Sequence, residues 1–495
     1  MQAALANLKE RVGEIQDLEH TSSLLGWDQQ VKMPAGGAAV RAEQLATIGR
    51  IAHEALTSDE MGRLLDELAP LEETLEYDSD EASLIRIVRT DWEKARRVPA
   101  ELRAEMSRAA SLAMPVWVKA RQESDFAQFL PALRHNFDLR RRYVECFDDY
   151  DEPYDVLLDD FEPGMKTAEV RAVFDRIKEQ QVPFVASVRA EGVRPVRDVS
   201  FPIEGQKEFE LKVIRRFGFD PCEWRLDTAV HPFASSMATT DIRLTTRYFE
   251  DNLDGLFGTM HECGHGLYEH GVARELERTP LASGASLGLH ESQSRMWENM
   301  VGRSLPFWRY FYPELQRTFP DALRQVALED WYRSVNWVEP SLIRVEADEA
   351  TYNLHIILRF ELEQELLADT IDLEELPEIW NQRMKDYLGV EPPDDALGVL
   401  QDMHWAVGAI GYFSTYALGN VISGQLWEKV NAEIPDLHDQ FEQGEFGALA
   451  AWLQENLWRH GRKYTPRELV ERITGGGLDP DPYLRYLRGK YPIST

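Results

Sequence analysis

Residues 256–267 read LFGTMHECGHGL, and the fold follows from how this stretch is read. Leu256, Phe257 and Met260 have helical spacing and Leu267 continues it, so His261-Glu262-Cys263-Gly264-His265 lies inside a helix. Residues four apart share a helix face, with Cβ atoms about 5–6 Å apart, which lets both imidazoles reach one metal ion. Glu262 is one residue on and faces another side of the ion, where it can hold the proton of a water molecule rather than bind metal. Gly264 costs a helix roughly 1 kcal/mol relative to Ala. Its missing side chain leaves room beside the metal. Cys263 turns away from the ion and reads as a small buried residue.

Outward from this stretch the pattern stays helical. Residues 1 to about 190 place apolar side chains at three- and four-residue spacing, as in Leu5, Leu8, Val12, Ile15 and Leu18. Breaks fall at Met33-Pro34-Ala35-Gly36-Gly37 and Glu162-Pro163-Gly164. Segments 198–211 and 225–250 carry β-branched and aromatic residues in shorter units and predict a small sheet. From 251 the helical pattern resumes to about 473, near Gly475-Gly476-Gly477, and the last twenty residues read as a short tail packed by its tyrosines. With no internal repeat and no Gly/Ser linker, the chain reads as one large domain over 1–495. It divides into a mainly helical lobe (1–195), a small β-sheet region (196–250) and a helical region with the metal site (251–495). The fold class is mainly α with a small β insert.

Two imidazoles do not complete a catalytic metal site, which needs a third protein ligand and an open position. His290-Glu291-Ser292-Gln293-Ser294-Arg295 supplies the candidate. Glu291 follows His265 by enough residues for one helix to end, a Gly-containing turn (Ala282 to Gly288) to reverse the chain, and a second helix to begin. Glu291 then stands in the first turn of that helix, opposite the imidazoles. A carboxylate there could also simply complement the helix dipole.

Composition restricts the partners. The 495 residues carry 54 Lys and Arg against 86 Asp and Glu, a formal charge of -32. Such a surface argues against nucleic acid and against docking on anionic lipid. Cys146, Cys222 and Cys263 are too few for a disulfide framework and fit a reducing cytoplasm. There is no secretory leader pattern and no apolar run long enough for a membrane helix.

Further strings agree with this site. They are His231-Pro232-Phe233, Asp241 to Thr245 (DIRLT), Ile343 to Asp348 (IRVEAD) and Gly398 to Trp405 (GVLQDMHW). Trp27-Asp28-Gln29 with Met33-Pro34, and Tyr154 to Met165 ending EPGM, precede them. Together with HECGH and HES they resemble the carboxypeptidase Taq family of zinc metallocarboxypeptidases, in family order from about residue 20 to 420. One departure is Ser414, where proline is expected.

The resemblance implies a two-lobed helical metallopeptidase with a deep central groove and a small sheet near the active site. It also implies release of single residues from peptide C-termini with broad side-chain tolerance, a homodimer, and zinc with cobalt as an effective substitute. His261, His265 and Glu291 would be the metal ligands and Glu262 the general base and acid. A carboxypeptidase must also bind the free α-carboxylate, whose two oxygens suit an Arg fork. Arg344 in the IRVEAD string is the first candidate and Arg243 the second, although either could simply pair with a neighbouring acid. Tyr412, Tyr416 and His231 are candidate oxyanion donors. His404, beside Asp402, is either a substrate donor or half of a buried His–Asp pair. Two other readings stay open: an oligopeptidase or dipeptidyl carboxypeptidase with the same zinc chemistry, and a non-catalytic helical scaffold. Glu262 disfavours the scaffold, because a structural site has no use for a water activator.

Overall fold

A computed structural model describes residues 1–190 and 193–491. The chain is mainly helical. It opens with two long helices, Gln2–Val31 and Ala38–Leu56, broken at Pro34 as the sequence predicts. The second packs almost only on the first and buries little beyond Ala52.

Most of the apolar interior lies in two large cores. One gathers Phe217, Trp297, Phe307 and Phe446 around the helix Asp254–Gly271. The other gathers Phe137, Phe174, Phe360 and Trp405 from the earlier helices and Tyr352–Leu367. The helix Ser414–Glu433 belongs to both: Ala417, Leu418 and Val421 enter the second core, Ile422 and Leu426 the first. A smaller core ties Leu8, Val12 and Ile15 of the first helix to Val272, Leu276 and Leu281. Among the described residues, no helix is long and apolar enough to cross a membrane.

The sheet has three short strands, β1 (Trp224–Thr228), β2 (Ala234–Ala238) and β3 (Asp241–Thr246). β3 is central, parallel to β1 and antiparallel to β2. Ile242 and Leu244 of β3 are fully buried and face the first core beside Leu256 and Met260.

Two expectations are corrected, for segment 198–211 and for the helical run after 251. Segment 198–211 is not sheet; Ile203–Phe217 is a helix, because Phe209, Val213, Ile214 and Phe217 recur at helical spacing and are all buried. Near the C-terminus the helix Asp481–Lys490 buries Tyr483, Leu484 and Leu487, and Tyr491 is buried just beyond it, so this segment packs by its tyrosines as expected. The helical pattern after 251 is interrupted by an irregular stretch from Gly389 to Phe413. Pro392 and Pro393 cannot continue a helix, and Gly408 and Gly411 adopt φ of 72° and 100°. Ser414 then opens the next helix, a position that suits proline equally well, and its hydroxyl donates to the Gly411 carbonyl at 3.1 Å.

Glu210 joins the helix Ile203–Phe217 to the helix of the HECGH string. Its buried carboxylate accepts from the Thr259 hydroxyl at 2.9 Å, and burial pushes its pKa up from 4.5 to about 7. The folded chain therefore holds this proton more tightly than the unfolded chain. Its contribution to stability is fully present below pH 4.5 and is lost as pH rises through 7. Glu210→Gln is expected to gain stability relative to the parent protein by about 3 kcal/mol between pH 4.5 and pH 8. Denaturant midpoints across that range check this.

Candidate metal centre and peptide cleft

The helix Asp254–Gly271 carries His261 and His265 on one face. Leu287–Arg295 carries Glu291 one turn from its start, after Ser286, whose side chain caps the helix by accepting from the Leu289 amide at 3.1 Å. The two helices cross closely at Gly264. A Cβ there would come within 2.6 Å of Ser294 Cα and 2.7 Å of the Gln293 carbonyl. This corrects the reading of Gly264: its small size admits the backbone of the Glu291 helix rather than clearing space beside the metal.

Gly419, on the helix Ser414–Glu433, backs Glu291 in the same way, with a Cβ placed 2.5 Å from Glu291 Cγ. Overpacking of this kind costs about 1–3 kcal/mol. Gly419→Ala is therefore expected to shift Glu291 off the imidazole pair and weaken metal binding at least about tenfold, as measured by competition with a chelator.

His261 Nε2 and His265 Nε2 lie 3.5 and 3.6 Å from Glu291 Oε2. The three residues can offer ligand atoms all within 4.8 Å of one another. Tetrahedral donors at about 2.0–2.1 Å from an ion stand about 3.4 Å apart, so two imidazole nitrogens and one carboxylate oxygen so spaced fit a small divalent metal. Glu262 is buried beside them. Burial pushes its carboxyl up to about 7, although the charge of His261 pulls the other way.

Around the ligands lies a set of groups that the sequence reading left unassigned. His261 Nδ1 lies 3.0 Å from Glu298 Oε2. Burial works against charge on Glu298, but the His261 hydrogen bond and the Arg295 and Arg303 charges hold its carboxyl below the usual range. Arg295 donates through Nε to Glu291 Oε1 at 2.7 Å, leaving Oε2 to face the imidazoles, and its guanidinium lies over the Tyr352 ring. Glu291, Arg295 and Glu298 are four and three residues apart, one face of a helix, and that spacing could have pointed to them. Glu298 lies in Met296–Val301, a π-helical turn of the kind that recurs at functional sites.

A cleft of about 710 Å³ opens over these residues. Its walls include Glu262, the β2 residues Ala234 to Ser236, Tyr412, Tyr416 and, across from them, Glu19 and Ser23 of the first helix. Tyr412 and Tyr416 pack edge to face, 5.3 Å between centroids. The other sequence candidates stand back from the wall. Arg344 is buried, donates through Nε and Nη2 to Asp402 Oδ1 at 3.1 and 2.8 Å and through Nη1 to the Tyr352 hydroxyl, and lies over the Tyr416 ring. Its acidic partner is thus Asp402, 58 residues on in the chain. His404 Nε2 meets the Tyr416 hydroxyl at 3.2 Å, while its Nδ1 is 3.8 Å from Asp402. Arg243 makes a two-pronged pair with Asp241 and lies over Trp27. His231 is exposed in the turn before β2.

The carboxypeptidase Taq (M32) metallopeptidase family model matches residues 7–491. The chain belongs to that family. It is 41% identical to thermostable carboxypeptidase 1 of Thermus thermophilus, over 99% of this chain and 98% of the relative. It is 38% identical to carboxypeptidase 1 of Bacillus subtilis, over 95% and 94%. The crystal structure of an M32 carboxypeptidase from Deinococcus radiodurans superposes with a TM-score of 0.95 at 40% identity, covering 99% of both chains. As a carboxypeptidase Taq family member the chain is a metallocarboxypeptidase, and its His261, His265 and Glu291 form the candidate metal group.

Proposed function

We propose that this metallocarboxypeptidase uses zinc, held by His261, His265 and Glu291, to release single residues from free peptide C-termini with broad tolerance. The observation that carries the reading is the convergence of two Nε2 atoms and one carboxylate oxygen, with Glu262 buried beside them in a cleft wide enough for a peptide. When bound, zinc supplies Lewis acidity that polarises the scissile carbonyl and makes water a nucleophile at neutral pH.

The protein's own groups do the rest. Glu262 takes the proton of the attacking water on its carboxylate and delivers it to the leaving amine nitrogen. A carboxylate held beside the ion and shielded from bulk water suits both transfers. Burial raises the pKa of Tyr412 and Tyr416, so both stay protonated and can donate to oxygen charge developing on the substrate carbonyl. Arg344, behind Tyr416, is the group we assign to the substrate carboxylate, reached through rotation of that ring.

Cys146, Cys222 and Cys263 are free thiols, which agrees with a cytoplasmic setting. A homodimer and cobalt as a substitute metal complete the proposal on the family resemblance. Timed mass spectrometry of digested peptides tests the reaction: a ladder of single C-terminal losses is expected. Losses in steps of two residues, or internal fragments, would instead favour a dipeptidyl carboxypeptidase or an oligopeptidase.

A further inference from the structure

The two histidines are backed differently. His261 Nδ1 meets a carboxylate, Glu298. His265 Nδ1 meets a second imidazole, His290 Nδ1, at 3.1 Å, and His290 Nε2 meets Glu269 Oε1 at 2.5 Å. Glu269 is anchored in turn by the Gly284 amide at 3.1 Å and the Ser236 hydroxyl at 3.2 Å. The His290 ring is wedged between Tyr268, 4.9 Å between centroids, and Gly284, where a Cβ would stand 2.4 Å from His290 Cδ2. The turn from Ala282 to Gly288 thus serves to seat this ring.

We infer that His290 and Glu269 are a positioning pair that fixes the tautomer of His265, resting on the metal site proposed above. Two nitrogens 3.1 Å apart share one proton. For His265 to present a bare Nε2 to a metal, that proton must sit on His265 Nδ1. His290 then accepts at Nδ1 and must carry its own proton on Nε2, which it donates to ionised Glu269. The reverse order leaves a protonated Nε2 on His265, pointing at Glu291, and no lone pair for an ion. A carboxylate at the end of the chain selects the first order, because it can only accept. His265 thus reaches its acceptor carboxylate through one more ring than His261 does. The two imidazoles are inequivalent donors, with His261 the more electron-rich.

The test uses the full-length protein stripped of metal and titrated with zinc against a competing chelator. His290→Phe keeps the ring shape and removes both nitrogens. Its zinc dissociation constant is expected to rise about tenfold to a hundredfold, with the thermal midpoint of the metal-free protein unchanged. His290→Asn restores an acceptor for the His265 proton and should recover part of that loss. The visible absorption bands of the cobalt-loaded protein should change in His290→Phe and return towards the parent spectrum in His290→Asn. Parent-like zinc affinity in His290→Phe overturns the inference. If that variant fails to fold, Gly284→Ala displaces the ring without removing a polar atom. Weakened zinc binding there supports the inference and unchanged binding overturns it. A parent protein that holds no zinc would overturn both this inference and the proposed function, whereas equal binding by parent and variants overturns the inference alone.

Discussion

Glu262→Gln is expected to lower kcat by about two to four orders of magnitude while the protein keeps its metal and loses no thermal stability. The substitution preserves shape and removes only the ability to take a proton. Glu262 is 7% exposed and raised to about 7 by burial, which penalises the charged form, so a neutral amide costs little stability there. The ligand atoms come from His261, His265 and Glu291, so metal content should not follow activity. Steady-state kinetics with elemental analysis on the same preparation separates the two. Near-parental kcat would remove Glu262 from the chemistry.

Amidating the C-terminus of a good peptide substrate is expected to lower kcat/KM by about one to two orders of magnitude. A hydrogen bond to a charged carboxylate contributes about 1.5–3 kcal/mol, and Arg344 keeps its pairing with Asp402 whichever substrate is bound, so no unpaired buried charge adds to that loss. The loss should shrink in Arg344→Gln, where the free acid and the amide become nearly equal substrates. Asp402 keeps its pairing with Arg359 in that variant, at 2.6 Å, which limits collateral damage to the fold. An unchanged ratio of free acid to amide would place the carboxylate contact elsewhere.

Much of this was legible in the sequence because it depended on local periodicity. The HECGH spacing, the helix break before Glu291 and the helical run of the first 190 residues are all set by residues close in the chain. What escaped depends on neighbours distant in sequence. Segment 198–211 has strand-like composition, yet Phe209 and Val213 bury against the first core only as a helix. Gly264 and Gly419 are small because other backbone and the Glu291 side chain lie against them, which no pattern around either glycine reveals. Glu269 was unread because its partner His290 is 21 residues away, across a reversing turn. Arg344 could be singled out from its string, but its pairing with Asp402, 58 residues on, could not.

Metal content of the purified protein tests the central claim most directly. After loading with zinc and removal of free metal, the parent chain should retain about one ion. His261→Ala, His265→Ala and Glu291→Ala should each retain little, while Glu262→Gln should match the parent. Full occupancy in the three ligand variants, or an empty parent protein, would contradict the site.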